Sequence, residues 1–326
     1  HTDEQIELAT ELNQIAIEVG DLERAVEGHE ARGGAWLELG QMARAKGELD
    51  AMAKLADELR QPSQLWYVAE QRAQHALLEG RFVDADRLIR EALELGELSQ
   101  RWSARVSYRM QLYVLRRHQG RLDELAEPFE SNSGAFQYRT YPVWDCILSR
   151  FYDELGREEE SRVRFEALAS EDFAGVPFNE EWLLSMSLLA ETASSLGDGR
   201  RAKVLHGKLL PYADRVAIGV PEISIGSVSR YLGLLAGAMG RADEAMGHFD
   251  DALAINERIG ARPWLAHTQY DYARLLVTRD PERAQELIET CLRTCRELGM
   301  AALASEATSL MDACRARGAS ATAAGE

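Results

Sequence analysis

GSVSRYLGLLAGAMGRADEAMGHFDDALAINERI, residues 226–259, is the stretch whose reading decides the fold. Two apolar, helix-compatible runs meet at Gly240, which is followed at once by Arg241. A glycine there ends the first helix by taking up a left-handed backbone, a conformation that costs energy for any residue with a β-carbon. The second run begins within one or two residues, so the two helices must fold back antiparallel. Ala245, five positions after the glycine, is the small side chain expected where the pair packs closest. Ala245, Phe249, Ala252 and Ile255 then fall at i, i+4, i+7 and i+10, the spacing of one helix face.

The same phrase recurs along the chain. It reads Gly40…Ala45, Gly80-Arg81…Ala85, Gly120-Arg121…Leu125, Gly156-Arg157…Ser161 and Gly197-Asp198…Ala202, with a seventh copy at Asp280-Pro281…Ala284. Self-similarity at a spacing near 40 residues predicts a stacked-repeat architecture. The expected elements are an opening helix at about 3–19, then helix pairs at 21–59, 62–96, 98–130, 138–170, 179–215, 222–259 and 263–298. A last helix near 301–316, striped with Leu303, Ala307, Leu310, Met311 and Cys314, would cover the open face of the final pair. Thr2 with Gln5 reads as a capping box, Asn179 as a helix start, and Pro263 and Pro281 as first-turn prolines. Residues 126–142, carrying Pro128, Gly134 and Pro142, are the least helical, and a bend is expected there. Residues 317–326 read as a flexible tail or linker after a solenoid spanning 1–316. Because the sequence opens at His1 without a methionine, it reads as a piece of a longer protein.

Leu232-Gly233, Gly240, Ala245, Phe249 and Ala252 together resemble the tetratricopeptide consensus. Gly33, Ala73, Ser149 and Ala190 repeat the small residue of Gly233 in other copies, and Tyr152, Gly156 and Phe165 match as well. The third copy departs, with Tyr113 at the small position. The resemblance covers roughly residues 21–299. It implies an all-α fold, a right-handed superhelical solenoid of helix-turn-helix repeats with a C-terminal capping helix. The period exceeds the roughly 34 residues of the standard repeat. This longer form resembles the helical-repeat regions of large bacterial signalling proteins, among them LuxR-type and maltose-activator-like regulators and nucleotide cyclases fused to an ATPase module.

Composition narrows the function. Lys and Arg number 37 against 54 Asp and Glu, a net charge of −17. Such a surface repels phosphate backbones, so direct nucleic-acid binding is not expected. No apolar run reaches the roughly 20 residues of a membrane span. Cys146, Cys291, Cys295 and Cys314 are too few for a disulfide scaffold and fit a reducing cytoplasm. Cys291 and Cys295 share a helix face, but nothing nearby in sequence completes a metal tetrahedron; packing between helices is the simpler reading.

No phosphate loop, His-Glu-x-x-His pair or aspartate-rich metal motif is present. No catalytic residue, cofactor or metal is expected. Gly233 and Gly237 lie inside a predicted helix as packing glycines, and runs such as Glu158-Glu159-Glu160 read as a solvated helix face. What remains is surface. By the resemblance, the first helix of each pair lines a concave groove through residues two, five, nine and twelve of each repeat. That transfer puts Tyr67, Glu70, Gln74, Met110, Arg117, Arg150, Arg230, His267, Tyr270 and Arg274 on the exposed groove face. Ser107, Val114, Val143, Cys146, Ser187 and Glu191 fall there too. Arginine forks bind carboxylates bidentately and tyrosine offers a rigid plate. The expected partner is therefore a peptide or protein with acidic and apolar anchors, or a small acidic ligand. The alternative is that these arginines pair with Glu and Asp on neighbouring helices. Two roles follow from the resemblance: a sensor or scaffold module of a multidomain signalling or transcription-regulatory protein, or a stand-alone adaptor or homo-oligomerisation scaffold, for example a homodimer.

Overall fold

In a computed structural model of the chain, residues 2–130 and 142–323 are described, with side chains for 2–129 and 142–316. Most of the stretch 126–142 where a bend was expected lies outside the described residues, as do His1 and the last three positions of the expected tail.

The chain divides into two compact units, Leu115 ending the first segment of one and Arg116 opening the other. The first unit takes residues 1–115 and 215–225. Its helices are α1 (Thr2–Val19), α2 (Leu22–Glu38), α3 (Met42–Leu59), α4 (Pro62–Glu79), α5 (Phe82–Glu97) and most of α6 (Arg101–Gln119). Consecutive members of α1 to α5 pack against each other. The second unit takes residues 116–214 and 226–326. After the short α7 (Ala126–Glu130) come the pairs α8 (Pro142–Glu154) with α9 (Glu158–Leu168) and α10 (Trp182–Ser195) with α11 (Gly199–Leu209). They are followed by α12 (Val228–Ala238) with α13 (Ala242–Arg258) and α14 (Arg262–Leu276) with α15 (Pro281–Leu298). The last helix, α16 (Ala301–Ala323), packs on α15 and is continuous past position 316, where the sequence reading ended it.

The architecture is all-α, built of the helix-turn-helix repeats that the sequence pattern predicts. All six repeat glycines sit at turns with left-handed φ, from 65° at Gly197 to 80° at Gly80. The residue five positions on is buried in each of those copies, and Ala284 is buried in the seventh. Asp280 caps α15 by accepting from Arg283 N at 3.0 Å, with Pro281 in the first turn. Cys291 and Cys295 are fully buried with their Sγ atoms 3.9 Å apart.

Three local expectations are corrected. Thr2 lies inside α1 and donates its hydroxyl to Glu38 Oε1 at 2.7 Å, so it forms no capping box with Gln5. Asn179 accepts from Glu181 N at 3.2 Å, and the helix itself begins only at Trp182. The pair expected to start at 222 starts at Val228, because a two-stranded sheet precedes it: β1 (Val216–Gly219) and β2 (Ile223–Ser227). Val216, Ile218, Ile223 and Ile225 are β-branched residues that suit buried strands, and every strand residue is buried. The connecting Val220 lies beside Gly34 of α2, where a β-carbon would stand 3.1 Å from its methyls. Gln111 Nε2 secures the turn by donating to Glu222 O at 2.9 Å. At the chain's first helix, Leu8, Leu12, Ile15 and Val19 form an exposed apolar stripe along α1.

Two glycines separate close packing from helix propensity. A β-carbon at Gly233 would lie 2.8 Å from the Phe249 ring, whereas one at Gly247, midway along α13, would meet nothing within 4 Å. Gly233→Ala should therefore lose about 1–3 kcal/mol to overpacking, and Gly247→Ala should gain about 0.5–1 kcal/mol. Urea denaturation measures both; equal effects at the two positions would contradict the packing described for α12 against α13.

Candidate functional site

In the second unit, the first helix of each pair presents charged side chains to its neighbours. Arg117 comes from the end of α6, Arg150 and Glu154 from α8, Glu191 from α10, Arg230 from α12, and Asp271 from α14. Glu191 is the hub. Its Oε1 accepts from Arg117 Nη2 and from Arg230 Nη1, each at 2.8 Å, and its Oε2 lies 3.5 Å from Arg150 Nε. Arg117 Nε also meets Glu154 Oε1 at 2.6 Å, and Arg150 Nη2 the same oxygen at 2.9 Å. Arg150 pairs in addition with Asp153 on its own helix. Arg230 reaches in the other direction, its Nη2 2.7 Å from Asp271 Oδ2.

Burial makes this network energetically demanding. Glu191 is 3% exposed and Arg230 is 3% exposed, so neither is solvated by bulk water. Burial alone would raise the Glu191 carboxyl, but the Arg117, Arg230 and Arg150 guanidinium groups outweigh it and hold the group well below the carboxylate range. Burial likewise works against the charge on Arg230, and Asp271 and Glu191 overcome it. Aromatic rings close the network from below. Trp264, fully buried, has the Arg117 guanidinium 5.3 Å and the Arg230 guanidinium 5.8 Å from its ring centre. His118 meets Trp264 edge-on at 4.9 Å and lies 5.4 Å from His267. Burial, reinforced by Arg117 and Arg230, pushes His118 down to about 3. His267 is driven well below its ordinary value by burial and the same arginines together with His118. Both imidazoles are neutral at pH 7.

Above the network opens a polar cavity of about 450 Å³. Six of the residues expected on the groove face line it: Arg117, Arg150, Arg230, His267, Tyr270 and Arg274. Their environments differ. Arg117 and Arg230 are buried, contrary to the exposed positions assigned from the repeat offsets, because each reaches into the stack to meet carboxylates of neighbouring helices. The expectation of cross-helix pairing describes them and Arg150. Arg274 is exposed and lies 5.8 Å from the Tyr270 ring centre, with no carboxylate pairing it among the described residues. The lining also holds Asp123, Asp153, Glu154, Asp271 and Glu306, five carboxylates against four guanidinium groups.

The other four expected groove residues belong to the first unit. Glu70 and Met110 are fully buried and Gln74 nearly so, also correcting their expected exposure; Tyr67 is half-buried. Gln111 ties this region together by donating to Glu70 O at 3.0 Å. The Glu70 carboxyl has no guanidinium beside it. Desolvation, with the like charge of Glu30 added and Ser107 opposing through a hydrogen bond, pushes it up to about 8. Desolvation and Glu27 push Glu30 up to about 7.

Sequence reasoning missed the carboxylate partners Glu154 and Asp271 and the aromatic floor at Trp264. It also missed His206, Glu244 and His248, whose donor atoms lie within 4.8 Å of one another. A readable signal existed for Glu154, which follows Arg150 by four on one helix face; the remainder come together only once pairs stack.

The tetratricopeptide repeat family matches residues 224–297, the segment holding α12 to α15. No curated protein matches the chain. The family match and the helical pairs support a tetratricopeptide-repeat protein. No helix among the described residues is long and apolar enough to cross a membrane.

Replacing Glu191 by glutamine keeps its shape and leaves three guanidinium groups short of a countercharge. Breaking a buried pair in this way costs about 3–5 kcal/mol, to be read from denaturant midpoints; a loss below about 1 kcal/mol would show the arginines balanced without Glu191. Acid acts through the histidines. The native His118 titrates near 3 and the unfolded one near 6.5, so below pH 6.5 only the unfolded chain binds the proton. Its contribution is complete above pH 6.5 and is lost as pH falls toward 3, by up to about 1.4 kcal/mol per pH unit. Comparing stability against pH in wild type and His118→Phe isolates it: the wild type should lose more stability from pH 6.5 to 5, and parallel curves would contradict the assignment.

Proposed function

We propose that the chain is a protein-interaction scaffold whose second unit receives a peptide segment of mixed charge in the Arg274 cavity. The observation that carries this reading is Arg274 itself: an exposed guanidinium backed by the Tyr270 plate, in a cavity where the other arginines are already paired. A guanidinium so placed offers a bidentate seat for a carboxylate. Asp123 and Glu306, both exposed on the same lining, offer seats for a cationic side chain. With carboxylates outnumbering guanidinium groups, a segment carrying both signs is better matched than a purely acidic metabolite, since like charges placed together cost binding energy.

The finer setting follows from the resemblance of the long repeat. The scaffold serves as a sensor module in a bacterial signalling or transcription-regulatory protein, with partner binding reported to an attached effector. That role is an analogy of fold. Four buried free thiols are in keeping with a reducing cytoplasm.

Fluorescence polarisation with labelled peptides of acidic, basic and mixed composition tests the reading. The mixed set should bind best and weaken with salt, and Arg274→Ala should reduce affinity about ten-fold, the equivalent of one charge-assisted hydrogen bond at about 1.4 kcal/mol. Equal binding by wild type, Arg274→Ala and Asp123→Asn would refute the cavity as the docking place.

A further inference from the structure

Away from the cavity, α11 and α13 are the second helices of consecutive pairs in the second unit. His206 projects from α11, while Glu244 and His248 stand one helical turn apart on α13, so they share a face. His206 Nε2 lies 3.3 Å from Glu244 Oε1, and the donor atoms of all three residues fall within 4.8 Å of one another. The two imidazoles meet edge-to-face, with ring centres 5.5 Å apart. We propose that His206, Glu244 and His248 form a divalent transition-metal site of the zinc class that clips α11 to α13.

Three features of the geometry support a metal over an ordinary ion pair. First, His206 is 5% exposed, yet its Nε2 makes no hydrogen bond, even with Glu244 Oε1 beside it. A buried polar nitrogen left that way costs free energy unless something else satisfies it. Second, donors at about 2.0–2.1 Å from a tetrahedral centre stand about 3.3–3.4 Å from each other, and the His206–Glu244 pair already has that separation. Third, the other carboxylate oxygen is held: Arg241 Nη1 lies 3.2 Å from Glu244 Oε2. The carboxylate thus turns Oε1 toward His206, the outer-shell orientation common to metal-binding carboxylates.

The donor set selects the ion. Two imidazoles and one carboxylate suit zinc, cobalt or nickel, with water completing the coordination. Magnesium and calcium demand oxygen donors and are poorly served by two nitrogens. Glu244 and His248 are only half-buried, which gives an ion a path from solvent. The ligands lie on two helices of different repeats, so the bound ion cross-links neighbouring pairs.

The test uses the tag-free full chain and zinc(II), with cobalt(II) as the spectroscopic probe, in equilibrium dialysis with elemental analysis and in visible absorption. One equivalent of zinc should bind in competition with cobalt, excess magnesium should not displace it, and thermal unfolding should shift upward as the metal is added. His248→Ala and Glu244→Gln, both at half-buried positions, should fold as wild type by circular dichroism and bind zinc at least about ten-fold more weakly. His206→Ala should do the same. Cys291→Ser with Cys295→Ser should leave the affinity unchanged. Failure to bind an equivalent, retention of affinity in His248→Ala and Glu244→Gln, or loss of binding in the cysteine variant would each overturn the proposal.

Discussion

Glu191 holds its negative charge away from bulk water, and the second unit is arranged around that fact. A carboxylate removed from solvent is tolerated only when opposite charges and hydrogen bonds replace the lost hydration. Here the replacement is supplied by Arg117, Arg150 and Arg230, from three other helices. Each arginine must be rotated toward the hub, which fixes the turn of α6, α8 and α12 about their own axes. Apolar packing tolerates small rotations because it has no direction; a charge-assisted hydrogen bond from a guanidinium does not. The hub therefore gives the register of the first helices, while the buried apolar side chains between them supply cohesion without direction.

The first unit meets the same demand differently. Glu70 and Arg230 occupy equivalent places, each ten residues before its turn glycine. Arg230 is paired on both sides. Glu70 has no such partner and relieves its burial by keeping its proton, as its value near 8 indicates. Raised carboxyls such as Glu70 and Glu30 favour the folded chain at low pH and withdraw that support as pH rises above about 4.5. The depressed histidines of the second unit act with the opposite sign. One repeat pattern thus carries two electrostatic solutions.

Much of the helical layout was legible because its determinants are local. A glycine followed by a charged residue, with a small residue five places on, is a turn and a close contact written in adjacent letters. The groove face was legible only in part. Repeat offsets brought Arg117, Arg150, Arg230, His267, Tyr270 and Arg274 to one cavity, yet they could not reveal that two of these arginines are submerged, since that depends on Glu154, Glu191 and Asp271 arriving from other helices. The strands at 216–227 hid for a different reason. Each is four or five residues long, too short for alternation to stand out from a helical run. His206 and Glu244 are 38 positions apart on separate helices, and no spacing rule within one helix could associate them.

The strand pair also makes the first unit discontinuous in sequence. Residues 215–225 belong with residues 1–115, although about a hundred residues of the second unit intervene. During synthesis the amino-terminal helices emerge well before the segment that completes their core. Gly34 and Gln111 must wait for Val220 and Glu222, which leave the ribosome only after the intervening segment of the second unit. The boundary at Leu115 is thus not a place where the protein can be cut to yield a self-sufficient half, and the second unit begins to emerge before the first is complete.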